Sequence, residues 1–288
     1  MAQAELVRQA LLAAHALEPH QVEIVPMTTV GDQVLDRPLA EIGGKALWTK
    51  PLDARLLAGE IDLAVHSLKD VETHRPAAIV IAATLPRADA RDRLIGATSI
   101  AALPSGARVG TSSPRRRAQL LAARPDLEIV TFRGNVATRL RKLQAGEADA
   151  TLLAAAGLDR LGQREVGCPI AINEMLPACG QGVIGVEVRA DDPETLGLVS
   201  AIDDLPTSAA ARAERRFLAA LTADCHSPVG AHARWNDEQL LLEGQLLSGD
   251  GREQVRGVAT VAHEDEAALL AERLLVQAAP ALRAAFTP

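Results

Sequence analysis

Apolar and polar positions along the chain alternate between helical and strand periodicity. Residues 2–16 have helical composition and spacing, and a short apolar strand is predicted at 22–25. A loop over 26–44 carries Gly31-Asp32 and ends in Gly43-Gly44-Lys45. Helical patterning then resumes up to Gly59, with Pro51 tolerable only in the first turn. Ile61-Asp62-Leu63-Ala64-Val65 reads as a buried strand running straight into His66-Ser67-Leu68-Lys69-Asp70, and residues 79–83 form another apolar strand. Alternating helix and strand predicts an α/β layer with a mostly parallel sheet.

The polar stretch 86–92 reads as a crossing into a second unit that repeats the alternation. A strand near 108–110 is followed by Thr111-Ser112-Ser113-Pro114, a helix start, and a helix to Ala123. Strand 128–132 leads through Arg133-Gly134-Asn135 into a helix to Ala145, and strand 150–153 precedes another helix. The glycine-punctuated segment 176–185 leads to strand 183–188, which can return to the first sheet. From Thr207 the pattern changes. Helix 209–220 precedes Asp224-Cys225-His226-Ser227-Pro228-Val229-Gly230, then two strand-like runs flank Ser248-Gly249-Asp250-Gly251, and one long helix spans 264–285. The expected organisation is three domains: 1–85 with 184–200, then 86–183, then a small α+β domain at 201–288.

Composition narrows the function. The net charge of −7 argues against general nucleic-acid binding, and three Phe, two Trp and no Tyr leave little surface on which bases could stack. No run approaches the ~20 uncharged apolar residues of a membrane span, and the first residues lack the form of an export signal. The expected location is the cytoplasm. Cys168, Cys179 and Cys225 suit neither a disulfide framework nor a zinc motif, so no metal is expected.

Lys69 and Asp70 lie just past a buried strand's carboxyl end, where ligands sit in open α/β sheets; a solvated lysine and a turn-capping aspartate are equally compatible with that position. Arg115, Arg116 and Arg117 begin one helix, and Arg133 and Arg139 flank the start of the next. Cations are unfavourable at helix N-termini unless an anion is present. Their clustering at two coincident strand ends and helix starts favours a polycarboxylate or phosphate site over a solvated face paired with Asp and Glu. No Walker-type loop occurs. Cys225, in a loop beside Asp224 and His226, is either an inert thiol or, less commonly, a reactive thiolate.

Six segments in order resemble the hydroxymethylbilane synthase (porphobilinogen deaminase) family. They are Gly43-Gly44-Lys45, Ala64-Val65-His66-Ser67-Leu68-Lys69-Asp70, Gly110-Thr111-Ser112-Ser113-Pro114-Arg115-Arg116, Phe132-Arg133-Gly134-Asn135-Val136-Ala137-Thr138-Arg139-Leu140, Leu176-Pro177-Ala178-Cys179-Gly180-Gln181-Gly182, and Cys225-x-x-Pro228-x-Gly230. The resemblance implies two domains like those of periplasmic binding proteins and a third bearing a cofactor cysteine. It implies a monomer that condenses four porphobilinogen molecules in tetrapyrrole biosynthesis, releases ammonia and hydrolyses off linear hydroxymethylbilane. The chain would grow on a dipyrromethane held by a thioether at Cys225. Asp70 matches the catalytic aspartate, which would stabilise a cationic azafulvene-like intermediate and handle pyrrole N–H protons. Arg115, Arg116, Arg133, Arg139 and Arg160 match carboxylate-binding arginines. Lys69, Lys45, Ser67, Thr111, Ser113 and Gln181 match positions lining cofactor or substrate.

The sequence also departs from the family pattern. The family opens with a strand and an Arg-x-Ser-x-Leu-Ala segment, whereas Met1-Ala2-Gln3-Ala4 begins inside the following helix. As written, the chain is therefore expected to show impaired stability and little turnover, either as a truncated form or through a start set too late. Trp48 stands where Phe is usual, Pro51 lies in the following helix, Glu72 replaces the usual Pro after Lys-Asp-Val, and Ala223-Asp224 replaces Gly-Gly before the cysteine. Two other readings compete: a solute-binding module with an anion-binding cleft, and a catalytically dead relative.

Overall fold

The computed structural model describes residues 1–27 and 49–286. Lys45, Trp48 and most of the loop expected over 26–44 lie outside the described residues. In chain order the elements are α1 (Ala2–His15), α2 (Lys50–Leu57), β1 (Leu63–Ser67), β2 (Ile79–Thr84), β3 (Asp92–Ile95), β4 (Arg108–Gly110), α3 (Pro114–Ala123), β5 (Glu128–Val130), α4 (Val136–Gln144), β6 (Ala150–Ala154), α5 (Ala155–Arg160), β7 (Cys168–Pro169), β8 (Ile184–Arg189), α6 (Pro193–Ser200) and α7 (Leu205–Ala220). The remainder is β9 (Val229–Asn236), β10 (Gln239–Leu247), β11 (Gln254–Thr260), α8 (Glu264–Gln277) and α9 (Pro280–Ala284).

Three sheets organise these elements, with strand orders β1-β8-β2, β5-β4-β6-β3-β7 and β11-β10-β9. The sheets expected to be mixed and mostly parallel are mixed, and among the described residues their antiparallel pairings outnumber the parallel ones. In the first sheet β8 returns between β1 and β2 and runs antiparallel to both. In the second, β4 is parallel to β5 and β6, but β3 and β7 add antiparallel pairs. Crossings between sheets admit either direction, whereas a helix crossover within one sheet imposes the parallel one. Residues 22–25 join no ladder among the described residues. The predicted single helix over 264–285 breaks into α8 and α9 at Pro280, which lacks the N–H that a continuous helix needs. Pro51 sits in the first turn of α2, as expected.

Each sheet carries its own apolar core. Val7 and Leu11 of α1 and Val199 of α6 pack with Val186 and Val188 of the first sheet. Leu94, Val109, Leu120 and Leu152 fill the second. Phe217 of α7 and Leu270 and Leu274 of α8 cover Leu242 and Leu246 of the third. Gly244 makes room for the Phe217 ring, since a Cβ there would lie 2.4 Å from it.

His232 on β9 faces Glu243 of β10 across the third sheet, and burial pushes its imidazole down to about 4. The unfolded imidazole titrates near 6.5, so between these values the unfolded chain binds a proton that the native chain refuses. Stability therefore falls on acidification through this window, by up to about 3 kcal/mol. The denaturation midpoint of a His232→Gln variant should shift less between pH 7 and pH 5 than that of the unaltered chain. Equal shifts would remove His232 from the account.

Candidate active site

β1 ends at Ser67 and the chain turns through a single 3-10 turn, Leu68–Asp70. Leu68 is buried and its N–H donates to the Val183 carbonyl at 3.0 Å, which fixes the turn against the returning strand. Lys69 is thereby held partly buried and Asp70 exposed at the strand's carboxyl end. Gly180, at φ +71, passes so close that a Cβ would lie 3.1 Å from the Lys69 nitrogen. Ser67 Oγ accepts from Gln3 Nε2 at 2.6 Å.

The start of α3 faces this turn. Ser113 caps the helix by accepting from the Arg116 N–H, and Thr111 Oγ1 accepts from the Ser113 N–H at 3.2 Å. Arg115 and Arg116 point inward onto Asp92 at the start of β3, with Nη2–carboxylate distances of 2.8 and 2.7 Å. Arg115 also donates to the Leu176 carbonyl and Arg116 to that of Leu152. Gln181 Nε2 adds bonds to Asp92 Oδ1 and the Ala90 carbonyl. Burial alone would raise the Asp92 carboxyl, but the two guanidiniums outweigh it and hold it well below the usual carboxylate range. Arg117 is exposed and donates to the Gly249 carbonyl, so the third arginine of the run lies outside the site.

Phe132 lies over Gly110, where a Cβ would come within 2.5 Å of its ring, and this packing seats the buried Arg133. Gly134 (φ +107) then turns the chain so that Asn135 can cap α4 by accepting from the Thr138 N–H at 2.9 Å. Arg139 Nε donates to the Gly134 carbonyl at 2.8 Å. Burial and Arg116 push the Arg139 guanidinium down to about 10, against Asp70. Burial likewise pushes the Lys69 ammonium down to about 8, with Asp70 opposing. Arg160 stands apart from this group and donates to the Gly182 carbonyl at 2.9 Å.

Cys225 follows α7 in a loop without glycine. Thr222 ends the helix at φ 52, a conformation that is strained for a β-branched residue, and the Ala223 N–H returns to the Leu218 carbonyl. Asp224 Oδ1 then accepts from the His226 N–H at 2.9 Å, closing the turn around the cysteine. Cys225 is exposed, yet the surrounding protein and the Asp224 and Asp70 carboxylates push its thiol up to about 12.

Asp70 is the common neighbour of Lys69, Arg139 and Cys225. Asp92 went unrecognised in the sequence, as did the buried pair of Arg87 with Glu214, whose carboxylate also accepts from the N–H groups of Gly180 and Ala233. Neither carries a motif. Each acid sits among other charged residues, so its burial leaves no local signal in the sequence. Among the described residues no cluster of His, Cys, Asp and Glu could hold a metal ion.

Residues 1–197 match the family model described as porphobilinogen deaminase, dipyrromethane cofactor binding domain, and residues 208–278 match its C-terminal domain. The chain belongs to the porphobilinogen deaminase family. It is 55% identical to the porphobilinogen deaminase of Sphingopyxis alaskensis over 292 residues, covering 99% of this chain and 93% of that one. It is 49% identical to that of Paracoccus denitrificans (95% and 90% covered) and 46% identical to the chloroplastic enzyme of Oryza sativa subsp. japonica (87% and 72%). A periplasmic substrate-binding protein of an ABC transporter from Coxiella burnetii superposes with a TM-score of 0.44 at 20% identity, over 71% of this chain and 88% of that one.

The residues present suit the family's dipyrromethane, whose rings each carry two carboxylates. Asp92 is a single negative charge shared by two guanidiniums, and the buried Nε atoms of Arg115 and Arg116 have no partner among the described residues. Positive charge is thus left over to meet the carboxylates of such a group. Among the described residues, no helix is long and apolar enough to cross a membrane.

Proposed function

We propose that this member of the family joins four porphobilinogen molecules head to tail between Asp70 and the arginines of α3 and α4, then releases linear hydroxymethylbilane by hydrolysis. The observation that supports the assignment of residues is the place of Asp70, exposed on the turn that ends β1, with Lys69 next to it and its charge felt at Arg139 and Cys225. Dipyrromethane, tethered by a thioether at Cys225, supplies the primer. Arg115, Arg116 and Lys69, with Thr111, Ser113, Ser67, Gln181 and Lys45, hold its carboxylates and rings. Arg133, Arg139 and Arg160 receive the acetate and propionate groups of incoming substrate, a role suited to planar, permanently charged forks. Asp70 stabilises the cation left when porphobilinogen loses ammonia, and it accepts and returns the pyrrole N–H proton.

The same reading divides the chain into 1–85 with 184–200, 86–183, and 201–288. Three sheets with three separate apolar cores support this division. It also takes the protein to be a cytoplasmic monomer that binds no nucleic acid, the last supported by the net charge of −7 and the few aromatic residues. Intact mass with peptide mapping tests the assignment. The peptide containing Cys225 should carry dipyrromethane, and Cys225→Ser should yield a bare, inactive protein. Turnover by a chain whose Cys225 is unmodified would refute the tether.

A further inference from the structure

The segment after Asp70 is not a strand or helix, and its carbonyls find their partners elsewhere. Arg215 of α7 donates to three in succession: Val71 (3.4 Å), Glu72 (2.7 Å) and Thr73 (3.1 Å). Among the described residues no carboxylate forms a salt bridge with Arg215, and burial pushes its guanidinium down. A buried guanidinium whose hydrogen bonds, among the described residues, all go to main-chain oxygens is a costly arrangement. Thr73 Oγ1 donates in turn to the Ala223 carbonyl at 2.8 Å, two residues before Cys225. On the other side Glu72 accepts from Thr49 Oγ1 at 2.6 Å and from Arg75 at 2.8 Å. Arg75 continues to Glu187 on β8 and Asp53 on α2.

We infer that Arg215 is a positioning residue: together with Thr73 it fastens the Asp70 segment to the Cys225 loop, so that catalytic carboxylate and tether form one body whose spacing is fixed. This rests on the roles proposed for Asp70 and Cys225. Arg215 touches neither group. It sets the distance between them by holding residues 71–73 against the end of its own helix. With that spacing constant, the cleft on the side of α3 and α4 must take up the growing product. Misplacement of reacting groups by about 1 Å is enough to lower rates by up to 100-fold, so loss of the fastening should act on kcat.

The test uses full-length Arg215→Met, Arg215→Lys and Thr73→Val, the last removing one hydroxyl at nearly constant volume. Arg215→Met and Thr73→Val should keep the mass addition on Cys225. Amide exchange should rise together at 70–73 and 223–227, the signature of two segments released as one unit. Arg215→Met should lower kcat about 10-fold with KM changed less than about 3-fold, and Arg215→Lys should recover part of the loss. Exchange rising in only one segment, or unchanged kcat in both Arg215→Met and Thr73→Val, would overturn the inference. Should Arg215→Met fail to fold, the Thr73→Val exchange pattern decides alone. A bare Cys225 in the unaltered, active chain would instead overturn the assignment on which the inference rests.

Discussion

Asp92→Ala should unfold at much lower denaturant and should be recovered with Cys225 unmodified. Asp92 is fully buried and holds Arg115 and Arg116 by 2.8 and 2.7 Å contacts. Removing it leaves two buried guanidiniums facing each other with one carbonyl bond apiece, and Gln181 without one of its two acceptors. Breaking a buried ion pair from one side costs about 3–5 kcal/mol. Asp92→Asn keeps the shape and removes the charge, so it separates packing from electrostatics and should lose most of the same stability. The pH dependence has a definite sign. The folded carboxyl titrates below its unfolded value of about 3.9, so the stabilisation is fully present above that value and is lost as pH falls through the folded one. Denaturant titration near neutral pH, paired with intact mass, makes the check. An Asp92→Ala protein with unchanged midpoint and a loaded Cys225 would show that the arginines need no internal anion.

What the sequence revealed of this fold is local. Ser113 before Pro114 and Asn135 before α4 are caps, and both hydrogen-bond as their positions predict. Lys69 and Asp70 end a buried strand because the apolar run stops there. The run of three arginines was only partly legible. Successive residues on a helix point about 100° apart, so Arg115 and Arg116 turn inward while Arg117 faces out toward Gly249. The anion that their clustering demands is in part Asp92, 23 and 24 residues away in sequence. Pairings of that range, like Arg87 with Glu214 or Arg215 with the segment after Asp70, have no periodicity and leave no motif. Strand direction was hidden for the same reason: β8 enters the first sheet from the far side of the second, and nothing local to residues 184–189 records which way it runs.

Asp70→Asn should retain dipyrromethane on Cys225 and lose about 10³-fold in turnover, because it removes negative charge while keeping size and one acceptor oxygen. Among the described residues the carboxylate lies amid Lys69, Arg139 and Cys225, so a cation formed there meets three groups that cannot stabilise it and one that can. In the proposed reading the arginines hold substrate carboxylates, while their own field opposes positive charge on the reacting carbon. Asp70 is the exposed acid that reverses the field locally, and its value is greatest when ammonia has left and the cation is fully formed. Substrate binding depends chiefly on the arginines, so KM should change far less than kcat. Asp70→Glu keeps the charge on a stem one methylene longer and should retain measurable turnover, ranking above Asn. Ammonia release under saturating porphobilinogen reads all three proteins. Turnover by Asp70→Asn within about 10-fold of the unaltered chain would mean that charge at this position is not what drives the reaction. Asn outperforming Glu would say the same, since it would make geometry rather than field the quantity that matters.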